Sequence, residues 1–168
     1  MQLKSINKQL YRSRLNIVIV ACIASLAIFS LAISQTLIYL FPSETGSHFY
    51  WNLLGVIVSA ILLVLALNKL RSHPKMTEVV YVWELKHALN LIHRKNRKLL
   101  SQAQIGDVNA MLALQFSYTG SKQLWELDDN TITMSSLNKA QAQLDDWVTA
   151  FGLSLDIKQY HSGLLKAF

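Results

Sequence analysis

The chain has 168 residues, of which 52% are hydrophobic and 15% charged, and its formal net charge is +6. That length leaves no room for several domains, and that apolar fraction excludes a disordered tail. The one cysteine, Cys22, excludes an intrachain disulfide and any metal or redox centre that needs several thiols.

Residues 1–14 form a basic segment: Lys4, Lys8, Arg12 and Arg14 occur with no acidic residue among them. Leu15 to Phe41 then contains no Asp, Glu, Lys or Arg, and neither does Gly46 to Asn68. A hydrocarbon core of about 30 Å needs about 20 helical residues, so both runs predict transmembrane helices, over 15–41 and 49–68. Residues 42–48 make the short loop between them. Lys69, Arg71 and Lys75 follow the second run, whereas the loop carries only Glu44. By the positive-inside rule both termini are expected in the cytoplasm and the loop on the other side. The rival is a cleaved signal peptide, with Ala32-Ile33-Ser34 as the small-residue site. The first run is about twice as long as a signal core of roughly 7–15 residues, which argues for an anchor.

Small residues four apart, at Ala21 and Ser25, Ser30 and Ser34, and Gly55 and Ser59, permit close helix approach. Packing within the hairpin is the favoured use of these pairs, with self-association as the alternative. Tyr39, Phe41, Phe49, Tyr50 and Trp51 cluster as an interfacial aromatic belt, and Pro42 with Gly46 supplies the reversal. No charge lies within either run, so a proton or ion pathway has no carrier.

Residues 69–168 are expected to form a cytoplasmic helical domain. His73-Pro74 ends the second apolar helix, because proline disfavours helical geometry in the residue before it. Thr77 is the expected cap of an amphipathic helix running to Ala103, with Glu78 in its first turn. Val82, Leu85, Leu89, Ile92, Leu99 and Ala103 make its apolar face. Gly106-Asp107 breaks it, and Asp107 caps a helix carrying Val108, Met111, Leu114 and Tyr118 up to Gly120. A further helical stretch covers Ser121 to Leu127, and Asp128-Asp129-Asn130-Thr131 reads as a turn. Thr133 or Ser135 starts a last helix with the stripe Met134, Leu137, Ala140, Leu144, Trp147, Val148 and Phe151, and Gly152 stops it. Leu153 to Phe168 is weakly patterned, with a short terminal helix as one option. The fold class predicted is all-α: a two-helix transmembrane hairpin followed by a small cytoplasmic antiparallel helical bundle.

Chemistry-bearing motifs are sparse. There is no P-loop, no G-x-G-x-x-G, no G-x-S-x-G and no zinc-type spacing of Cys and His. Glu84 and His87 make one E-x-x-H pair, whereas a di-iron site needs a second copy and two more carboxylates. Asp128-Asp129 and Asp145-Asp146 are adjacent residues whose side chains diverge, which suits capping better than paired-carboxylate catalysis. No catalytic residue, metal ligand or cofactor is therefore assigned. Gly106-Asp107, Ala110, Leu114, Tyr118 and Gly120 resemble the first helix of a Sel1-like or tetratricopeptide repeat, but no second period accompanies them.

The strongest charge feature is His93-Arg94-Lys95-Asn96-Arg97-Lys98. Lys86, Arg94, Lys95, Arg97 and Lys98 are the candidate contacts for anionic lipid or a protein partner. No aromatic residue is interleaved with them, so nucleic acid is disfavoured. The aromatic region around Trp125 and Trp147 is the second candidate surface. The function expected is a membrane-anchored interaction or scaffold module, with the bilayer and a protein partner or a second copy as its partners. The alternatives are lipid sensing through the basic helix 77–103, or a metal enzyme using Glu84 and His87.

Leu67-Asn68-Lys69-Leu70, His73-Pro74, Met76-Thr77-Glu78-Val79, Tyr81-Val82-Trp83, Leu85-Lys86 and Leu127 to Thr133 resemble an uncharacterised proteobacterial membrane family, domain of unknown function 3087. The resemblance extends over nearly the whole chain and is most specific from Leu67 to Lys86. It implies a bacterial inner membrane, and with it a periplasmic place for the loop 42–48. It implies no catalytic residue, cofactor or partner.

Overall fold

The computed structural model describes residues 1–42, 47–130 and 134–168. Glu44 and Gly46 of the expected loop, and Thr131 and Thr133 of the expected turn and helix start, lie outside the described residues. The described chain is all-α, with six α-helices and no strand. It divides into two compact units, one of Gln9–Val80 and one of Met1–Lys8 with Tyr81–Phe168.

The first unit holds the apolar runs as α1 (Lys8–Leu40) and α2 (Phe49–Leu70). Both are long and apolar enough, by length and composition, to cross a membrane. Two polar side chains inside α1 bond within the helix, Ser30 Oγ donating to the Ala27 carbonyl at 3.1 Å and Thr36 Oγ1 to that of Ala32 at 2.8 Å, whereas Ser34 Oγ donates to the Asn52 carbonyl of α2 at 3.5 Å. The two helices meet through two of the three expected small-residue pairs, Ser30 with Ser34 and Gly55 with Ser59, whereas Ala21 of the third is exposed. Ser34, Gly55 and Ser59 are buried, and a Cβ at Gly55 would overlap the Ser34 hydroxyl and lie 2.8 Å from the Ser30 carbonyl oxygen. Glycine is needed there for the close approach of two backbones. Of the expected aromatic cluster, Phe41 stacks on Trp51 at a 5.4 Å centroid separation and Phe49 lies edge-on to Tyr50, whereas Tyr39 is exposed.

After α2 the chain turns through His73, whose Nδ1 accepts from the Lys75 N–H at 3.2 Å, into a 3-10 turn at Pro74–Met76. α3 (Thr77–His93) follows. Thr77 does not act as the expected acceptor cap: its hydroxyl donates back to the Pro74 carbonyl at 2.9 Å, because the 3-10 turn already brings that carbonyl beneath it. Within this same unit Arg14 forms an ion pair with Glu78 and reaches the Pro74 carbonyl at 3.3 Å. A basic residue before the first apolar run is thus tied to an acidic residue after the second.

The second unit corrects two expected element boundaries. The helix expected from Thr77 to Ala103 is two helices, α3 and α4 (Asn96–Gln104). At the break the Lys95 N–H closes a tight turn on the Ile92 carbonyl at 2.9 Å. Ile92 and Leu99 remain fully buried on either side, so the apolar register survives. The second correction is at Gly120, which does not interrupt its helix: α5 runs unbroken from Val108 to Asp128. A Cβ on Gly120 would stand only 3.1 Å from methyl groups of Leu85 and Leu89, so this glycine serves packing between α3 and α5.

The glycine stops and the Asp107 cap appear where expected. Gly106 has φ +92° and Gly152 has φ +61°, each in the left-handed region that ends a helix. The 6→1 bonds of that motif are present, from the Asp107 N–H to Gln102 at 3.0 Å and from the Leu153 N–H to Val148 at 2.9 Å. Asp107 accepts from the Ala110 N–H at 2.8 Å and so satisfies an orphan donor at the start of α5. α6 (Met134–Ala150) buries Leu137 and Leu144 of the predicted stripe and half-buries Met134, Ala140, Trp147 and Val148, whereas Phe151 lies past its end and stays exposed. α5 is the centre of the unit, packed against α4 and α6, and Met111, Leu114 and Phe116 on it are fully buried. The weakly patterned end forms two 3-10 turns, Ile157–Gln159 and Ser162–Ala167. Between them Tyr160 stacks on Phe116, with ring centroids 4.1 Å apart.

Candidate interaction surface

The five basic residues picked out by the sequence do not form one field of equally available charge. Lys86 pairs with Asp128 at 3.2 Å across α3 and the end of α5. Lys95 Nζ donates to the Leu165 carbonyl at 2.5 Å, and Lys98 Nζ donates to the backbone oxygen of Phe168 at 2.8 Å. These two lysines therefore fasten the terminal 3-10 turn to the α3–α4 corner. Arg94 and Arg97 are exposed, and among the described residues neither has an ion-pair partner. They lie three residues apart across the tight turn at Lys95.

The other constellations resolve into structural roles. The His87 ring stacks on Trp83 at 6.1 Å with the planes 14° apart. No group of three or more metal-ligating side chains occurs among the described residues. Asp129 pairs with Lys8, and Asp145 accepts from Gln141 Nε2 at 2.9 Å. Asp129 also sits at φ 56°, a left-handed conformation that aspartate tolerates, and ends α5 without a glycine. Trp125 lines a cavity of about 300 Å³ with Lys8, Glu126, Asp129, Asn130 and Met134, whereas Trp147 is half-buried on the packed stripe of α6. The two tryptophans do not share this cavity.

Tyr160 was not singled out by the sequence, since its partner Phe116 lies 44 positions earlier and no local pattern joins them. Only 3% of it is exposed, and burial pushes its phenol up to about 12. Burial raises Tyr118 as well. Above pH 10 the unfolded tyrosine loses its proton while the folded one keeps it, so stability falls as pH rises. For Tyr160 the loss reaches about 2–3 kcal/mol by pH 12. Urea unfolding at pH 9 and at pH 11 should show this fall, and Tyr160→Phe should flatten it. The Tyr160 hydroxyl has no hydrogen-bond partner among the described residues, so the phenylalanine should not lose stability at neutral pH.

Fold and surface together define an all-α protein with two membrane-length apolar helices and a helical bundle. The chain belongs to the family described as protein of unknown function DUF3087, whose model matches residues 1–165. No curated protein and no solved structure matches it.

Proposed function

We propose that this protein is a membrane-anchored interaction module whose two apolar helices cross the bilayer and whose helical unit binds a protein partner in the cytoplasm. One observation carries the topology. Met1–Lys8 and Tyr81–Phe168 form a single compact unit, and the chain between them contains both apolar helices. Two crossings return the chain to the side it left, so a folded unit made from both ends is compatible with a spanning hairpin. The basic flanks at Lys4, Arg12, Lys69 and Arg71 favour the cytoplasm for that side under the positive-inside rule.

Burial supports the spanning role. Only 6% of the most apolar window of α1 and 11% of that of α2 is buried. Ile17, Val20, Ile28 and Val64 each have about two thirds of their surface exposed. A core helix of a soluble protein would hide such side chains, whereas lipid covers them without cost.

Magnitudes favour a protein partner over a lipid surface. Anionic lipid contributes roughly 1 kcal/mol per basic residue, and recognition usually takes a cluster of about 4–8. With Lys95 and Lys98 held by Leu165 and Phe168, and Lys86 by Asp128, two arginines remain at the corner. Two guanidiniums suit a carboxylate-bearing protein surface better than a membrane. Crosslinking in native membranes should recover a defined complex, and Arg94→Ala with Arg97→Ala should reduce its yield at least tenfold. Recovery of monomer alone from the wild type would contradict the proposal.

A further inference from the structure

The seat of the N-terminal segment is built from side chains that read backbone. The Lys4 N–H donates to Tyr81 Oη at 2.8 Å, and Gln123 Nε2 donates to the Lys4 carbonyl at 2.5 Å. Tyr81 Oη donates in turn to Gln123 Oε1 at 3.0 Å, closing a ring. Two side chains, one from α3 and one from α5, thus hold both polar backbone groups of one extended residue. The Lys4 side chain takes no part in the ring. Beside it Leu3 enters the notch left by Gly120, where a Cβ would stand 3.7 Å from Leu3 Cδ2. The ion pair of Lys8 with Asp129 marks the end of the segment, where α1 begins.

Burial across this contact is one-sided. Tyr81, Gly120 and Leu127 are buried in the helical unit, whereas no residue of Met1–Lys8 is. A cavity of about 270 Å³ remains alongside, lined by Ser5, Ile6, Lys8, Gln123, Glu126 and Leu127. The segment lies on the core without being part of it. Segments that rest on few buried contacts open at lower free energy than the core beneath them.

We propose that Met1–Lys8 is a releasable latch, seated in a groove of α3 and α5 that binds an extended backbone carrying an aliphatic side chain one position ahead of the clamped residue. Lys8 is both the last residue of the latch and the first of α1, so opening releases that residue from Asp129. The occupant is the chain's own segment, and the Gly120 notch selects it through Leu3.

Hydrogen exchange on the full chain in detergent micelles tests the latch. Residues 2–8 should exchange at least tenfold faster than the centre of α5. Gln123→Ala, which removes two of the three ring bonds and leaves a good helix former, should speed them at least tenfold more while α5 stays unchanged. A labelled peptide with the sequence of residues 1–8 should bind the full-length Leu3→Asp variant, whose own segment is expelled, and should lose that binding when Gln123→Ala is added. The latch is overturned if residues 2–8 exchange in step with α5, if Gln123→Ala leaves them unchanged, or if the peptide does not bind the Leu3→Asp variant.

Discussion

Replacing Phe116 with alanine should unfold the helical unit or bring it to the edge of unfolding. Phe116 is fully buried on α5, the helix on which α4 and α6 pack, and its ring is the stacking partner of Tyr160. Truncating a buried phenylalanine costs about 3–5 kcal/mol, the lost transfer energy plus the cavity left behind. A whole domain has about 5–15 kcal/mol of stability, so this one change removes a large share. The loss should also loosen the terminal 3-10 turns, because Tyr160 sits between them and has no other ring contact among the described residues, leaving the bonds from Lys95 and Lys98 to hold the last turn. Urea unfolding followed by tryptophan fluorescence reads the effect, and Phe116→Leu, which keeps most of the volume, should retain the fold. A Phe116→Ala midpoint close to that of the wild type would place the core elsewhere.

The second large effect is at Gly55, where the clash begins at Cβ. Gly55→Ala should already cost about 1–3 kcal/mol, the usual penalty for overpacking. Gly55→Leu should cost more and separate α1 from α2. Ser34→Gly removes the hydroxyl that such a Cβ would strike, so combining it with Gly55→Ala should regain part of the loss. The two sites touch, and their effects should therefore not add. Thermal unfolding of the four proteins in one detergent measures the coupling. Additive effects would mean that the helices do not meet through this pair.

Most of the fold was legible because its signals are local. Uncharged runs of membrane length marked α1 and α2, His73-Pro74 marked the change of regime, and the Asp107 cap and the glycines at 106 and 152 fell where their motifs require. Gly120 misled because composition does not tell a helix stop from a packing notch; what distinguishes them is the presence of Leu85 and Leu89 across the gap. The break between α3 and α4 left little trace. No proline or glycine accompanies it, and the seven-residue step from Ile92 to Leu99 keeps one apolar face through the turn.

The basic surface was only half legible for a different reason. Charge can be counted along the chain, but its availability depends on partners about 70 positions away, as the bonds from Lys95 and Lys98 to the terminal turn illustrate. The N-terminal segment was the least legible element. Its four basic flanking residues read as a topology signal and concealed Leu3, whose role depends on a glycine in α5.

The central claim is that both ends of the chain build one folded unit on the inner side of a membrane crossed twice. Single cysteines at Gln2, Ser47 and His161, in a chain with Cys22→Ala, test it through labelling by a membrane-impermeant maleimide. All three replaced residues are exposed. The account predicts that position 47 is labelled in intact cells, and that positions 2 and 161 are labelled only after permeabilisation. Labelling of position 2 or position 161 in intact cells would contradict it.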